Sequence, residues 1–383
     1  MTPPLLEAAR DLAPGLRAAS DRIEKEGRLP PEVVESLARA GLFRMLVPRS
    51  LGGGEVSPAV MVEAIEAVSR GDSAAGWCVM VGATSGLLGA YLEPEAARLV
   101  YGDELSVCSG VFAPGGTAED LGDSYRVTGR WPFSSGVLHA GWRMGGAVVT
   151  EGGAPKIGEG GAPMLRHVFF RAEETSVVET WDTSGLRGTG SHDLIAEGVV
   201  VPKSRTVSML AARPREEGAL YRFPMFGLLA LGVSAVALGI ARAALDDLAA
   251  LARAKKPGGG KRTLAERELV QFDVGRAEGL VRSARAFALE AARETFAAVE
   301  AGPPGDESRA VVRLAATQAT TAAAEAVGLC YRAGGSTSIY AKSPLQRHFR
   351  DVNVATQHGM VGGGLYALAG RVLLGQRTDV TTL

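Results

Sequence analysis

The sequence predicts a mostly α-helical protein with one β-rich insert, and three observations carry that reading. Alanine, leucine, arginine and glutamate crowd both ends of the 383-residue chain, with apolar side chains recurring at helical spacing. From about residue 107 to 212 that period gives way to short β-branched and aromatic runs separated by glycine. Strands and helices are segregated rather than alternating, which argues against a doubly wound βαβ fold. The expected organisation is an N-terminal α-helical domain over 1–106, a β domain over 107–212 and a C-terminal helical bundle over 213–383.

Individual elements follow from local chemistry. Leu29-Pro30-Pro31-Glu32 opens a helix, because a proline in the first turn removes an amide hydrogen that has no partner there. Val33, Val34, Leu37 and Ala38 form its apolar stripe, and Gly41 suits the left-handed cap. Leu51-Gly52-Gly53-Gly54 is a turn. Ser57-Pro58 starts a second helix with apolar Val60, Met61, Ala64, Ile65 and Val68, and Asp72-Ser73 caps a third that carries Trp77 and Cys78. In the insert, Tyr125 to Trp131 alternates as a strand does, after a hairpin-type Gly122-Asp123. Val148-Val149, Val168 to Phe170, Ser176 to Val178 and Val199 to Val201 read as further strands, and the Gly/Pro-rich stretch 151–163 as a surface loop. Beyond Phe223, breaks at 255–260 and 302–305 part helices over about 264–299, 307–333 and 358–374.

A net charge of −1 gives no electrostatic handle for nucleic acid or an anionic membrane. Cys78, Cys108 and Cys330 are widely spaced and form no CxxC pair, which disfavours a disulfide framework or metal centre and fits a reducing cytoplasm. Met1 to Asp11 lacks the basic and apolar regions of a secretion signal. Phe223 to Ala241 is uncharged and close to bilayer length, yet it holds Pro224, Gly227, Gly232 and Gly239 and runs into an amphipathic continuation from Arg242. It reads as a helix buried in a bundle or subunit interface.

A strand ending in Trp131, Phe133, Ser134 and Ser135 can present a flat apolar wall and hydroxyls to a planar ligand. Taken alone, the same pattern is a capped strand end over a core tryptophan. Thr189-Gly190-Ser191 lies in a glycine-rich turn where backbone can approach a ligand closely, or simply turns the chain. Gly334-Gly335 at a helix end can bring free amides to a phosphate, and Arg347 and Arg262 carry the fork that matches phosphate oxygens. The bland alternatives are a helix cap and ion pairs, an Arg350–Asp351 bridge among them. His358 can take or give a proton near neutrality. His139 and His348 read as structural and His192 as a surface residue. No GxGxxG follows a strand, and no Walker loop or HExxH occurs, so no nicotinamide site is visible.

Together, Gly129-Arg-Trp131-Pro-Phe133-Ser-Ser135-Gly136, Gly185-Leu-Arg-Gly-Thr189-Gly190-Ser191 and Pro344-Leu-Gln-Arg347…Arg350-Asp351…Gln357-His358 carry a resemblance over essentially the whole chain. They resemble the acyl-CoA dehydrogenase superfamily, and within it the two-component flavin-dependent monooxygenases (group D hydroxylase-like). The resemblance implies an N-terminal helical domain, a middle β-barrel and a C-terminal four-helix bundle, assembled as a homotetramer. It implies a flavin between barrel and bundle, contacted by Trp131, Phe133, Ser134, Ser135, Thr189, Ser191, Arg262, Gly334, Gly335 and Arg347. His358 and Ser135 take the catalytic roles.

A histidine stands here where dehydrogenases place a catalytic glutamate, and Phe223 to Leu245 holds no carboxylate at the other superfamily position. The activity implied is oxygenation. Reduced FMN or FAD arrives from a separate reductase, O2 adds at the flavin C4a to form a hydroperoxide, and one oxygen atom passes to a small organic substrate. Ala83 to Gly86 and its flanks lack the second histidine common among phenol-hydroxylating relatives, which puts a phenolate in doubt. An indole-like ring, a nitrogen or sulfur atom to be oxygenated, and a natural-product intermediate all stay open as substrates. The competing readings are an acyl-CoA dehydrogenase with an unrecognised base and a flavin-free helical scaffold.

Overall fold

The computed structural model describes residues 4–158, 161–208, 213–258 and 261–383. Capping chemistry starts the N-terminal helices where the sequence places it. After α1 (Pro4–Glu26), α2 (Pro31–Arg39) begins behind Pro30, and Gly41 follows it at φ 72°. Ser57 Oγ accepts from the Val60 amide ahead of α3 (Pro58–Gly71), and Asp72 Oδ1 accepts from Ala75 at 2.8 Å ahead of α4 (Ser73–Gly86). α5 (Pro94–Tyr101) completes this layer. α4 is apolar on every side and buried throughout, so it acts as a core rod against its neighbours.

Among the described residues, eight strands form one mixed sheet in the order β6-β7-β2-β1-β3-β5-β8, with β4 attached to β3. They are β1 (Cys108–Asp120), β2 (Ser124–Ser134), β3 (Trp142–Glu151), β4 (Ala154–Pro155), β5 (Leu165–Arg171), β6 (Ser176–Val178), β7 (His192–Pro202) and β8 (Thr206–Val207). β1 and β3 pair in parallel and the remaining pairs are antiparallel. The described strands pair along a path whose ends are β6 and β8. The sheet encloses a core of its own around Trp131, Val127, Val168, Phe170 and Leu194. The expected surface loop 151–163 contains β4 and an Ile157–Pro163 bridge, and residues 159–160 lie outside the described set.

The C-terminal part holds α6 (Met225–Ala254), α7 (Glu268–Ala301), α8 (Asp306–Ala333), α9 (Pro344–Ala355) and α10 (Gly364–Leu373). α6 is the apolar segment weighed above as a membrane span, and 94% of its most apolar window is buried inside the protein. Gly239 lets α3 come close: a Cβ there would lie 2.5 Å from the Glu66 carbonyl oxygen. The four-helix expectation needs correction at its last member. The stretch 358–374 is a 3-10 turn over Gly359–Val361 followed by α10, because Gly362, Gly363 and Gly364 interrupt the helix. The extra helix, α9, packs across α6 and α8.

Candidate active site

A cavity of about 620 Å³ opens between α4, the start of α6, the sheet and the turn that carries His358. Its floor is backbone from β1, where the register with β3 shifts twice between Val111 and Gly116. Such a bulge turns the chain away from its ladder and exposes peptide groups. Two of the three non-glycine residues with positive φ, Phe133 (62°) and Leu186 (50°), also line the cavity. A left-handed phenylalanine costs about 1–3 kcal/mol, so its surroundings must hold it there. Phe133 leaves 70% of its surface exposed and meets Trp181 edge to face, with ring centroids 6.1 Å apart.

Trp131 is fully buried, its Nε1 donating to the Gly146 carbonyl at 2.6 Å, and it borders the cavity. Ser135 follows at the cavity side. Its Oγ accepts from Trp77 Nε1 at 3.0 Å and lies 2.7 Å from Ser191 Oγ, which lies 2.6 Å from Thr189 Oγ1. Thr189 donates onward to the Leu186 carbonyl at 2.8 Å. Ser135, Thr189 and Ser191 therefore form one buried hydroxyl edge. Ser134 is not part of it: fully buried, with its hydroxyl unpartnered, it is absent from the cavity lining.

His358 opens into the cavity beside Trp77, with ring centroids 5.6 Å apart at 68°. Its Nδ1 accepts from the Met360 amide at 3.2 Å, so the neutral ring carries its hydrogen on Nε2. His358 keeps much of its surface exposed, yet partial desolvation by the surrounding protein and, second, the Arg313 cation hold its pKa below the ordinary histidine value. Among the described lining residues there is no Asp, Glu, Lys or Arg, and His358 is the one ionisable side chain.

The remaining predicted residues lie elsewhere in this chain. Arg347 donates to Asp21 at 2.6 Å, with Glu24 3.5 Å away, and so is neutralised against α1. Gly334 and Gly335 follow the end of α8, where Lys255 Nζ donates to the Gly334 carbonyl at 3.0 Å. Arg262 sits exposed in the α6–α7 connection. At 1.5 Å per residue Lys255 stands about 33 Å along α6 from cavity-lining Val233, whereas Arg347 borders a small cleft with Asp351 and with Leu186, which also lines the cavity.

The expected Arg350–Asp351 bridge is also corrected. Arg350 pairs with Glu24, while the buried Asp351 accepts from Ser73 Oγ and from the Leu186 amide. His192 is half-buried, and its Nδ1 accepts from the Thr180 and Trp181 amides, both at 3.1 Å. It thus positions one cavity wall. Sequence reasoning did not single out Trp77, Trp181 or Gln357 as site residues. The glycine run Gly110–Gly116 was the available signal for close backbone approach.

Comparison with known proteins fits this geometry. A family model described as the acyl-CoA dehydrogenase C-terminal domain matches residues 231–362, and one for the N-terminal domain matches 5–94. Indole-3-acetate monooxygenase of Pseudomonas putida is 36% identical over 376 residues, covering 97% of this chain and 93% of the relative. The chain belongs to the flavin-dependent monooxygenases of the acyl-CoA dehydrogenase superfamily. The HsaA oxygenase subunit of Rhodococcus jostii, a flavin-dependent monooxygenase, is 26% identical over 91% of this chain and 92% of its own length. XiaF from Streptomyces sp., solved in complex with FADH2 and glycerol, superposes with a TM-score of 0.88 at 27% identity, covering 97% of this chain and 95% of that one. For a flavin-dependent monooxygenase the composition of the cavity is informative. A dehydrogenase needs a carboxylate within reach of the substrate's α-proton, and the described lining provides an imidazole instead.

Proposed function

We propose that this cavity receives the ring system of a reduced flavin together with a small, largely apolar aromatic substrate, which the chain oxygenates as the oxygenase component of a two-component system. The observation that carries the reading is a 620 Å³ cavity, mostly apolar, in which His358 is the sole ionisable lining side chain among the described residues. Its size lies within the range of small-molecule and cofactor sites. The residues present fit a flavin: aromatic Phe133 and Trp131 line the cavity, and the linked hydroxyls of Ser135, Ser191 and Thr189 supply a polar edge.

When bound, reduced flavin supplies the activation of dioxygen, and an electron source in the form of a separate flavin reductase is implied. Trp181 and Met80 help exclude water from the reacting atoms. Ser135 holds the ligand through its hydroxyl. His358 holds a hydrogen at Nε2, available to an oxygen atom on the substrate or on dioxygen as negative charge develops there. The absence of fixed charge from the described lining favours a neutral ring, and the 36% identical relative acts on an indole acid, so an indole-like substrate is the first choice.

Arg262, Gly334, Gly335 and Arg347, outside the cavity lining, are consistent with contacts to the polar tail of a flavin, FMN or FAD, held across a subunit boundary. Exposed Leu269, Phe272, Ile339 and Tyr340 would find cover in the same homotetramer. Three buried, unpaired cysteines suit a cytoplasmic setting.

The test supplies pre-reduced FMN or FAD, oxygen-18 gas and an indole-ring substrate. One labelled oxygen in the product, and none when oxidised flavin is used, is the expected result. Thioester oxidation with oxidised flavin in the absence of oxygen would overturn the assignment.

A further inference from the structure

We infer that Asp351, which lies outside the cavity lining, is a positioning residue: it holds Leu186 in a left-handed conformation and, through the Leu186 carbonyl, fixes the Trp181 indole as a wall of the cavity. The geometry stands without a ligand, and only its consequence for turnover rests on the proposed function.

The backbone of Leu186 needs support. Its φ of 50° is uncommon for a residue with a Cβ, yet the chain places leucine there, between Gly185 and Gly188. Its amide donates to Asp351 Oδ1 at 2.7 Å, and the other carboxylate oxygen accepts from Ser73 Oγ at the start of α4. The carboxylate is buried and engaged at both oxygens, so it cannot turn away from Leu186 without breaking its contact to α4. The loop is also pressed onto the same spot. A Cβ on Gly185 would lie 2.5 Å from the Arg350 carbonyl oxygen and 2.7 Å from the Asp351 amide nitrogen. Thus α9 supports the loop with its backbone and grips it with one side chain.

The carbonyl of Leu186 serves the cavity wall. It accepts from Trp181 Nε1 at 3.0 Å and from Thr189 Oγ1 at 2.8 Å. Trp181 lines the cavity, and Nε1 is the sole polar atom by which its ring can be anchored. The Leu186 amide and carbonyl belong to successive peptide planes, and the two dihedral angles of Leu186 alone set one plane against the other. If φ relaxes to an ordinary negative value, the amide and the carbonyl cannot both keep their partners. The hydrogen bonds to Asp351 and from Trp181 therefore stand or fall together. In the proposed reaction a displaced wall lets water reach the reacting atoms. Dioxygen then leaves as hydrogen peroxide, carrying the two electrons and two protons of reduced flavin, in place of product.

The experiment uses the full-length protein labelled with nitrogen-15 at its four tryptophans, with the Trp181 indole N–H resonance assigned by its loss in Trp181→Phe. Asp351→Ala should shift that resonance toward free indole and speed its hydrogen exchange about tenfold, the effect of one lost hydrogen bond. Asp351→Asn can accept from Leu186 and donate to Ser73, so it should restore the wild-type signal. Glycine adopts a φ of 50° without strain, so in a Leu186→Gly background Asp351→Ala should move the signal less. A folded Asp351→Ala protein with an unchanged Trp181 signal overturns the inference, even if it melts lower. So does Asp351→Asn behaving like Asp351→Ala, or an equal shift in both Leu186 backgrounds. Should Asp351→Ala not fold, Trp181→Phe reads the same coupling from the other end. The Leu186 amide should then exchange about tenfold faster, and an unchanged rate overturns the inference. With pre-reduced flavin, oxygen and an indole-ring substrate, Asp351→Ala should release more peroxide per product than the wild type, and an unchanged ratio overturns the role in turnover. A wild type that makes no product overturns the proposed function, while the resonance measurements still decide the positioning of Trp181.

Discussion

Arg313 on α8 donates to the Met360 carbonyl at 3.1 Å and so anchors the turn on which His358 stands. Its other terminal nitrogen donates to the Thr382 carbonyl in the C-terminal tail, and its Nε has no partner. The guanidinium is thus a buried cation with no carboxylate partner among the described residues, and burial pushes its own pKa down to about 10. Desolvation first and this cation second keep His358 neutral below the pH at which a free imidazole protonates. For a reaction that needs the neutral ring, the acid limb of kcat/KM should lie below the ordinary histidine value. Arg313→Gln removes the cation while keeping donors for the two carbonyls. The acid limb should then move to higher pH, and the His358 ring resonance in proton–carbon NMR should titrate at the same higher pH. A limb that stays in place would exclude electrostatic control by Arg313.

His358 performs two tasks that substitution can separate. It caps its own turn through Nδ1 and carries a hydrogen on Nε2. His358→Ala removes both and should lower product formation about 10²- to 10⁴-fold while leaving reduced-flavin affinity nearly unchanged. His358→Asn retains a capping oxygen and an N–H donor on a shorter side chain, and should recover thermal stability and a fraction of the activity. Full activity in both variants would remove His358 from the chemistry.

Trp131 is held by glycines on both sides. A Cβ on Gly145 would lie 2.4 Å from the indole and one on Gly129 would lie 2.7 Å from it. The ring cannot slide away without leaving the Gly146 carbonyl that its Nε1 bonds at 2.6 Å. Gly145→Ala should therefore destabilise the fold by about 1–3 kcal/mol, the usual cost of overpacking, and weaken flavin binding at the cavity edge that Trp131 forms. Adding Trp131→Phe should restore part of the melting temperature lost. A Gly145→Ala protein that melts like the wild type would show that the sheet yields there more easily than this packing implies.

Local chemistry explains which parts of this architecture can be read from sequence. Ser57, Asp72 and Gly41 mark helix ends because capping depends on two or three adjacent residues, and all three cap as expected. The uncharged run in α6 could be assigned to a buried helix because its glycines and its amphipathic continuation are local signals. Trp77 carries no such signal. It reaches the cavity only because α4 packs against the end of β2, where its indole finds Ser135 58 residues away. The partner of Arg350 is Glu24, 326 residues distant, so the neighbouring Asp351 offered a misleading choice. α9 was legible in principle, with Pro344 in its first turn and Leu345, His348, Val352 and Ala355 on a buried face. Its arginines drew the reading toward phosphate instead, and only the position of α1 shows Arg347 engaged with Asp21.

Protonation of two desolvated groups shifts stability in opposite directions as the pH falls, and one substitution exposes the balance. His139 is half-buried against Phe43, and desolvation there pushes its pKa down to about 4. Between the ordinary histidine value and 4 the unfolded chain holds the extra proton, so acidification through that window destabilises the fold. Asp72 is buried, and burial raises its pKa to about 6 against the opposing effects of the Ala75 amide, Ser20 and Arg347. Between about 6 and the ordinary aspartate value the folded chain holds the extra proton, so acidification there stabilises it. Each effect amounts to about 3 kcal/mol at its limit, and the two offset. Asp72→Asn keeps an oxygen for the Ala75 amide. Ser20 Oγ lies 3.3 Å from both the Leu16 and Gly71 carbonyls, so it can turn its proton to either and accept from the new amide. The variant should melt above the wild type at pH 7.5, lose that advantage by about pH 4, and fall more steeply between the two. A melting difference that stays constant across this range would show that Asp72 enters the folded state with its charge unperturbed.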